Sequence, residues 1–179
     1  MKLRNDRFRY GLISRFLHWG MAVSIFAMFG LGYWMRTLTY DNPYYQLAPN
    51  LHRSIGIVLL AMLIIRFIWN FIEPRPIAND ITKLEYRLSH LMHNFLYALL
   101  FCLMITGYLI STLDGRPISV FGLANVPSVL SQRSWEPLTA LLHWWIACTI
   151  ITISIVHACA ALWHHLIKKD FTLRRMLNL

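Results

Sequence analysis

Eight histidines carry most of the chemistry this chain can offer: His18, His52, His90, His93, His143, His157, His164 and His165. An imidazole relays a proton, ligates a metal ion or holds an iron porphyrin, depending on what faces it. Spacing narrows the choice. His143 and His157 are 14 residues apart, and so are His52 and Arg66. On an α-helix 14 residues rise about 21 Å and return to within about 40° of the same face. A helix with that pair presents an imidazole near each of its ends on one face. The three cysteines, Cys102, Cys148 and Cys159, lie singly in apolar runs. That excludes a disulfide framework and a zinc ribbon, and without a Cys-x-x-Cys-His motif any haem is non-covalently held. No tetrahedral cluster of Cys, His and carboxylate suited to zinc is present either.

The elements that must position these rings are membrane spans. Of 179 residues 57% are apolar and 14% charged, against roughly a quarter charged in soluble domains. Mean hydropathy is +0.48 and net charge +9, a combination that excludes a soluble globule, a disordered tail and a free-standing nucleic-acid binder. Four stretches, 16–35, 52–72, 91–111 and 138–163, have the roughly 20 apolar residues a transmembrane helix needs. The first is too long for a signal-peptide core and lacks a small-residue cleavage site, so it reads as retained. Breakers fill the linkers, among them Asp41-Asn42-Pro43, Glu73-Pro74-Arg75-Pro76 and Asp114-Gly115-Arg116-Pro117. The fold expected is all-α: an integral membrane four-helix bundle, with residues 1–179 as one domain.

Four spans put both termini on one side. Thirteen of the 17 basic residues fall on that side and only Arg36, Arg53, Arg116 and Arg133 on the other, which predicts cytoplasmic termini. Most of the basicity is therefore topological, and no nucleic-acid partner is implied. With this orientation His52 and His143 lie near the outer surface, and His18 and His157 near the inner one. Two opposed imidazoles at each of two depths is what two non-covalent haems b require, and a four-helix bundle supplies facing side chains for them. On depth alone His93, about one turn inside the third span, competes with His18 for the inner iron. Gly20, Gly30, Gly32, Gly56 and Gly107 would admit either a flat macrocycle or a neighbouring helix. Arg66, on the His52 face at the inner depth, suits a haem propionate, as do Arg53 at the outer haem and Arg15 at the inner one.

At these residues the sequence resembles the bacterial cytochrome b561 family. The matching segments are Arg9-Tyr10-Gly11 through Leu17-His18-Trp19, Leu51-His52-Arg53-Ser54-Ile55-Gly56, Leu142-His143-Trp144, and His157-Ala158 through Trp163-His164-His165. Gly107-Tyr108-Leu109-Ile110-Ser111, the run from Asp114 to Gly122 and the tail from Lys169 to Met176 also fit. The resemblance implies a four-helix bundle in the bacterial inner membrane, with His18 and His157 as axial ligands of an inner haem and His52 and His143 of an outer one. It implies electron transfer between a periplasmic donor and membrane quinone, with some members oxidising superoxide and reducing ubiquinone.

Quinone reduction consumes protons, so a hydrogen-bonding group is needed near the inner haem. Some of His164, His93 and Lys83 are expected there. On the outer side Arg53, Arg116 and Arg133 are candidates to steer superoxide. Tyr40, Tyr44, Tyr45 and Trp135 form either a docking patch for a periplasmic redox protein or an interfacial belt. The linker 112–137 is long enough for a lid or a docking surface. The alternative function is a non-enzymatic electron carrier or membrane anchor serving such a partner. A histidine-based proton channel without haem is disfavoured, because the spans contain no Asp or Glu.

Overall fold

The computed structural model describes residues 2–78 and 80–177. Four long helices, α1 (Leu12–Met35), α2 (Leu47–Ile72), α3 (Lys83–Thr112) and α4 (Glu136–Trp163), dominate it. Each is long and apolar enough to cross a bilayer. At most 22% of the apolar window of any span is buried within the protein, and Phe16, Val23, Phe71, Leu138 and Trp145 are exposed. Hydrocarbon is the solvent that suits such surfaces, and helices suit hydrocarbon because they satisfy their own backbone groups. α1 packs on α2, α2 on α3 and α3 on α4, and a sparser seam closes α4 on α1. Inside, Met21, Ile25, Leu59, Leu63, Leu103 and Ile150 form the buried middle of the bundle.

All four helices start before the apolar runs do, for local reasons. α3 begins eight residues ahead of its apolar run because Thr82 caps it. The Thr82 hydroxyl accepts the Glu85 N–H (3.3 Å), and the Glu85 carboxylate accepts the Thr82 N–H (2.9 Å). α1 begins at Leu12 because a strap, residues 2–10, folds over its end. The carbonyls of Lys2 and Leu3 accept the N–H groups of Leu12 (3.0 Å) and Ile13 (3.3 Å). The strap crosses at Gly11, where a Cβ would lie 2.4 Å from the Leu3 oxygen, so glycine is required.

At this terminal end three segments interlock. Buried Glu73, just past α2, accepts hydrogen bonds from Arg4 Nε (2.6 Å) and the Asn5 N–H (2.9 Å) of the strap. The Ile77 N–H donates to the Arg7 carbonyl (3.0 Å), and the Tyr10 N–H to the Arg175 carbonyl (3.3 Å). Arg175 lies on the short helix α5 (Thr172–Leu177) and pairs with Asp80 of the α2–α3 linker.

At the opposite end the stretch 112–137 contains the only strands among the described residues. β1 (Ile118–Val120) and β2 (Ala124–Val126) form an antiparallel hairpin, turned by Phe121 and Gly122 at positive φ. It is clamped to α2 by Ser54, whose hydroxyl donates to the Ser119 carbonyl (3.2 Å) and accepts the Phe121 N–H (3.0 Å). Ser54 is only 2% exposed and Ile118 only 3%, so the hairpin is a fixed cover. Replacing Ser54 by alanine orphans two backbone groups and should destabilise the hairpin by about 1–3 kcal/mol. Hydrogen exchange should then show a faster Phe121 amide, with the α-helical amides unchanged.

Candidate functional site

α4 contributes one imidazole to each end of the bundle, and each meets a ring from another helix. At the hairpin end His143 faces His52 of α2, with ring centres 6.4 Å apart. At the terminal end His157 faces His18 of α1, with ring centres 6.3 Å apart. A metal between two trans imidazoles sets about 2 Å of bond on each side and about 1 Å from each nitrogen to its ring centre, hence about 6 Å between centres. Both pairs have that spacing, and all four rings are half-buried.

The hairpin-end pair flanks a cavity of about 380 Å³. Its walls are largely aliphatic, with Ile25, Leu59, Leu103 and Ile150 on its inward side and Arg53, Asp114, Arg116 and Glu136 also in the lining. Two glycines let the rings approach neighbouring helices. A Cβ at Gly32 would lie 3.1 Å from His52 Cε1, and one at Gly107 would lie 2.9 Å from His143 Cε1. Gly56 lines the cavity with open space before it, Gly20 meets the end of Met62, and Gly30 faces nothing within 4 Å. His143 Nδ1 lies 3.1 Å from the Leu103 carbonyl. The Thr106 hydroxyl lies at the same distance from Nδ1 (3.1 Å), and a proton on Nδ1 satisfies the carbonyl and leaves Nε2 with its lone pair, as a metal ligand held by a backbone partner needs.

The terminal-end pair has richer surroundings. Arg66 of α2 reaches it directly, with Nη2 donating to His18 Nδ1 (2.7 Å) and the guanidinium over the Tyr97 ring (5.6 Å). His93 also arrives here, its ring centre 5.1 Å from that of His157. That is direct ring contact, closer than two rings with a metal between them, whereas His18 stands at the metal-bridging distance. His93 donates Nδ1–H to the Ser89 carbonyl (2.6 Å) and its ring is accessible. His164 has a separate partner, the buried Asp170. Of the three residues expected at a quinone, His93 touches the imidazole pair, His164 is held by Asp170, and Lys83 is exposed at the start of α3. Arg15 lines a basic cavity of about 320 Å³ with Lys2, Arg4 and Arg9, and its Nε is buried without a partner.

Of the cations expected to steer an anion, Arg116 is paired with Asp114, Nε to Oδ2 at 2.6 Å. Hydrogen bonds from the Arg116 side chain and backbone hold the Asp114 carboxyl below the usual carboxylate range, so the pair stays ionised and nearly neutral overall. Arg53 lines the cavity with no ion-pair partner among the described residues. Tyr40 against Tyr45 and Trp34 against Tyr44 form an aromatic rim at this end.

Sequence reasoning missed three contributors: Leu103, whose carbonyl orients His143; Ser54, which holds the hairpin; and Asp170. Only Asp170 left a readable signal, a lone acid six residues after His164, where a chain turning back from a helix end makes its closing bond.

Known proteins resemble this chain over most of its length. The family described as prokaryotic cytochrome b561 matches residues 9–179. Cytochrome b561 homolog 2 of Escherichia coli K12 is 45% identical over 99% of this chain and 96% of its own length. Cytochrome b561 homolog 1 of the same strain is 26% identical over 94% and 97%. A probable superoxide oxidase of Yersinia pestis, CybB, is 29% identical over 71% of this chain and 73% of its own length. With four membrane-spanning helices and imidazoles paired within them, the chain belongs to the prokaryotic cytochrome b561 family of multi-pass bacterial membrane proteins, which transfer electrons using b-type haem.

Proposed function

We propose that this chain is a di-haem, quinone-linked oxidoreductase of the bacterial inner membrane, with both termini cytoplasmic and superoxide as the donor at the hairpin end. The observation that carries this reading is the pair of imidazole couples, each at the spacing one iron needs, at opposite ends of one bundle. The basic excess on the terminal side supports the orientation. The likeness to a probable superoxide oxidase supports the donor.

The residues fit two haems. His52 and His143 would hold one in the aliphatic cavity at the hairpin end, His143 with its proton on Nδ1 and its lone pair on Nε2. His18 and His157 would hold the other. Bound there, haem supplies reversible one-electron exchange between ferric and ferrous iron. Were His18 to hold the group through Nε2, its Nδ1 would carry the proton, and Arg66, which only donates, would need another acceptor. A propionate carboxylate is such an acceptor, and Arg15 and Arg53 suit the same role. Ile25, Leu103 and Ile150 pack together along the wall of the hairpin-end cavity and would help to keep water from the path. The hairpin pinned by Ser54 covers the outer end, so small anions reach it past Arg53 more readily than a docked protein would. Ubiquinone would be bound at the terminal end by His93, His164 and Lys83, with the two histidines handling protons.

Three measurements test this. Purified protein given pulsed superoxide and ubiquinone, with no other protein, should form ubiquinol, and alanine at His93 and His164 should remove most of that activity while the haem spectrum persists. No turnover without a partner protein would favour the carrier reading. Alanine at His143 or at His157 should each lower haem from about two to about one per chain, read from reduced-minus-oxidised spectra. Gly107→Ala, which drives a methyl into the His143 ring, should reduce haem content or shift the low-spin signal of one haem, whereas Gly30→Ala should change neither.

A further inference from the structure

The closure of α4 brings a carboxylate back onto one of its own histidines. His164–Lys168 form a single π-turn, Lys169 takes a left-handed conformation (φ 57°), and the Asp170 N–H donates back to the His164 carbonyl (3.2 Å). This closure carries the Asp170 carboxylate to His164, where Oδ2 accepts from Nδ1 and Oδ1 accepts the Thr172 N–H (2.9 Å). The two side chains are 15% and 6% exposed, so the pair is largely withdrawn from solvent. A closure of this kind commonly ends an α-helix, and a left-handed lysine in place of glycine costs it some local energy. Here its result is a buried carboxylate joined to one nitrogen of one histidine.

We propose that Asp170 is the positioning residue and counter-ion of His164, making the two a proton-exchanging dyad for the quinone at the terminal end. The proposal rests on the quinone reading above. A carboxylate only accepts, so the dyad fixes a proton on Nδ1 and leaves Nε2 as the working nitrogen. Reduction of one quinone takes two electrons, supplied by the chain's own electron transfer, and two protons. Each proton leaves Nε2 of the His164 imidazolium as an O–H bond forms at a quinone oxygen, and water on the terminal side returns it. Asp170 stays ionised throughout. Burial raises its affinity for a proton, but hydrogen bonds from His164 and the Thr172 N–H outweigh this and hold its pKa below the ordinary carboxylate value. The charged or titratable groups on this end of the packed elements are His157 of α4, His165, Lys168 and Lys169 after it, Arg174 and Arg175 of α5, and Lys83, Glu85, Tyr86, Arg87, His90 and His93 of α3. Lys168 is taken up by Glu85 and Arg175 by Asp80, which leaves Asp170 as the carboxylate that serves His164.

The test uses purified, haem-loaded full-length protein with a short-chain ubiquinone. Asp170→Asn keeps the shape and removes the charge. It should lower kcat for quinone reduction about tenfold or more, enlarge the solvent deuterium isotope effect and leave KM for the quinone and the haem spectrum nearly unchanged. Asp170→Glu should restore part of the rate. Nitrogen NMR of ferrous wild-type protein should show His164 protonated at Nδ1, a readout independent of turnover. Asp170→Asn with wild-type rate and isotope effect would overturn the dyad, as would a wild-type His164 carrying its proton only on Nε2. If His164→Gln slows quinone reduction while Asp170→Asn does not, the quinone site stands and the dyad falls. If His164→Gln leaves reduction unchanged, the quinone reading falls first.

Discussion

The arrangement depends on one distance: two imidazoles from different helices held with their centres about 6 Å apart, twice, inside a bundle that faces hydrocarbon. Closer approach makes a ring–ring contact like that of His93 with His157, and wider separation leaves a gap that no single ion spans. Helix packing alone does not set such a value. Gly107 gives the His143 ring room against α3, and the Leu103 carbonyl and Thr106 hydroxyl of the same helix then hold its Nδ1. Gly32 does the corresponding steric work for His52.

Around that distance the rest of the molecule divides its labour. The middle of the bundle is aliphatic and buried. The terminal end is polar, with the strap, the α2–α3 linker and the last residues joined through Glu73, Asp80 and Arg175. The hairpin end is covered by a short β-structure tied to α2 through one buried serine. The two ends therefore present different surfaces to the two sides of the membrane. One is a small cavity under a fixed cover, and the other is a cluster of histidines, arginines and carboxylates.

Much of this could be read from residue spacing. Fourteen residues between His143 and His157 place both rings on one face of α4 whatever surrounds it, and four apolar runs force four spans. Which ring stands across from His157 was not decidable by depth, since His18 and His93 are level; separations of 6.3 and 5.1 Å distinguish them. Contacts between residues far apart in the chain left no local pattern. Ser54 meeting Ser119 and Phe121, or Arg66 meeting His18, depends on how helices are rotated against one another. The early helix starts were hidden for another reason: capping by Thr82 and by the strap carbonyls is polar chemistry, invisible to a hydropathy window.

α4 supplies a ring to both couples, and this binds the fate of the two stations together. A small tilt, rotation or axial slip of that one rod alters both at once, so neither can be tuned mechanically without the other. The same sharing means that neither couple exists without the last span. Without it, His18 and His52 each lack an opposite number; with it seated, both stations can close together.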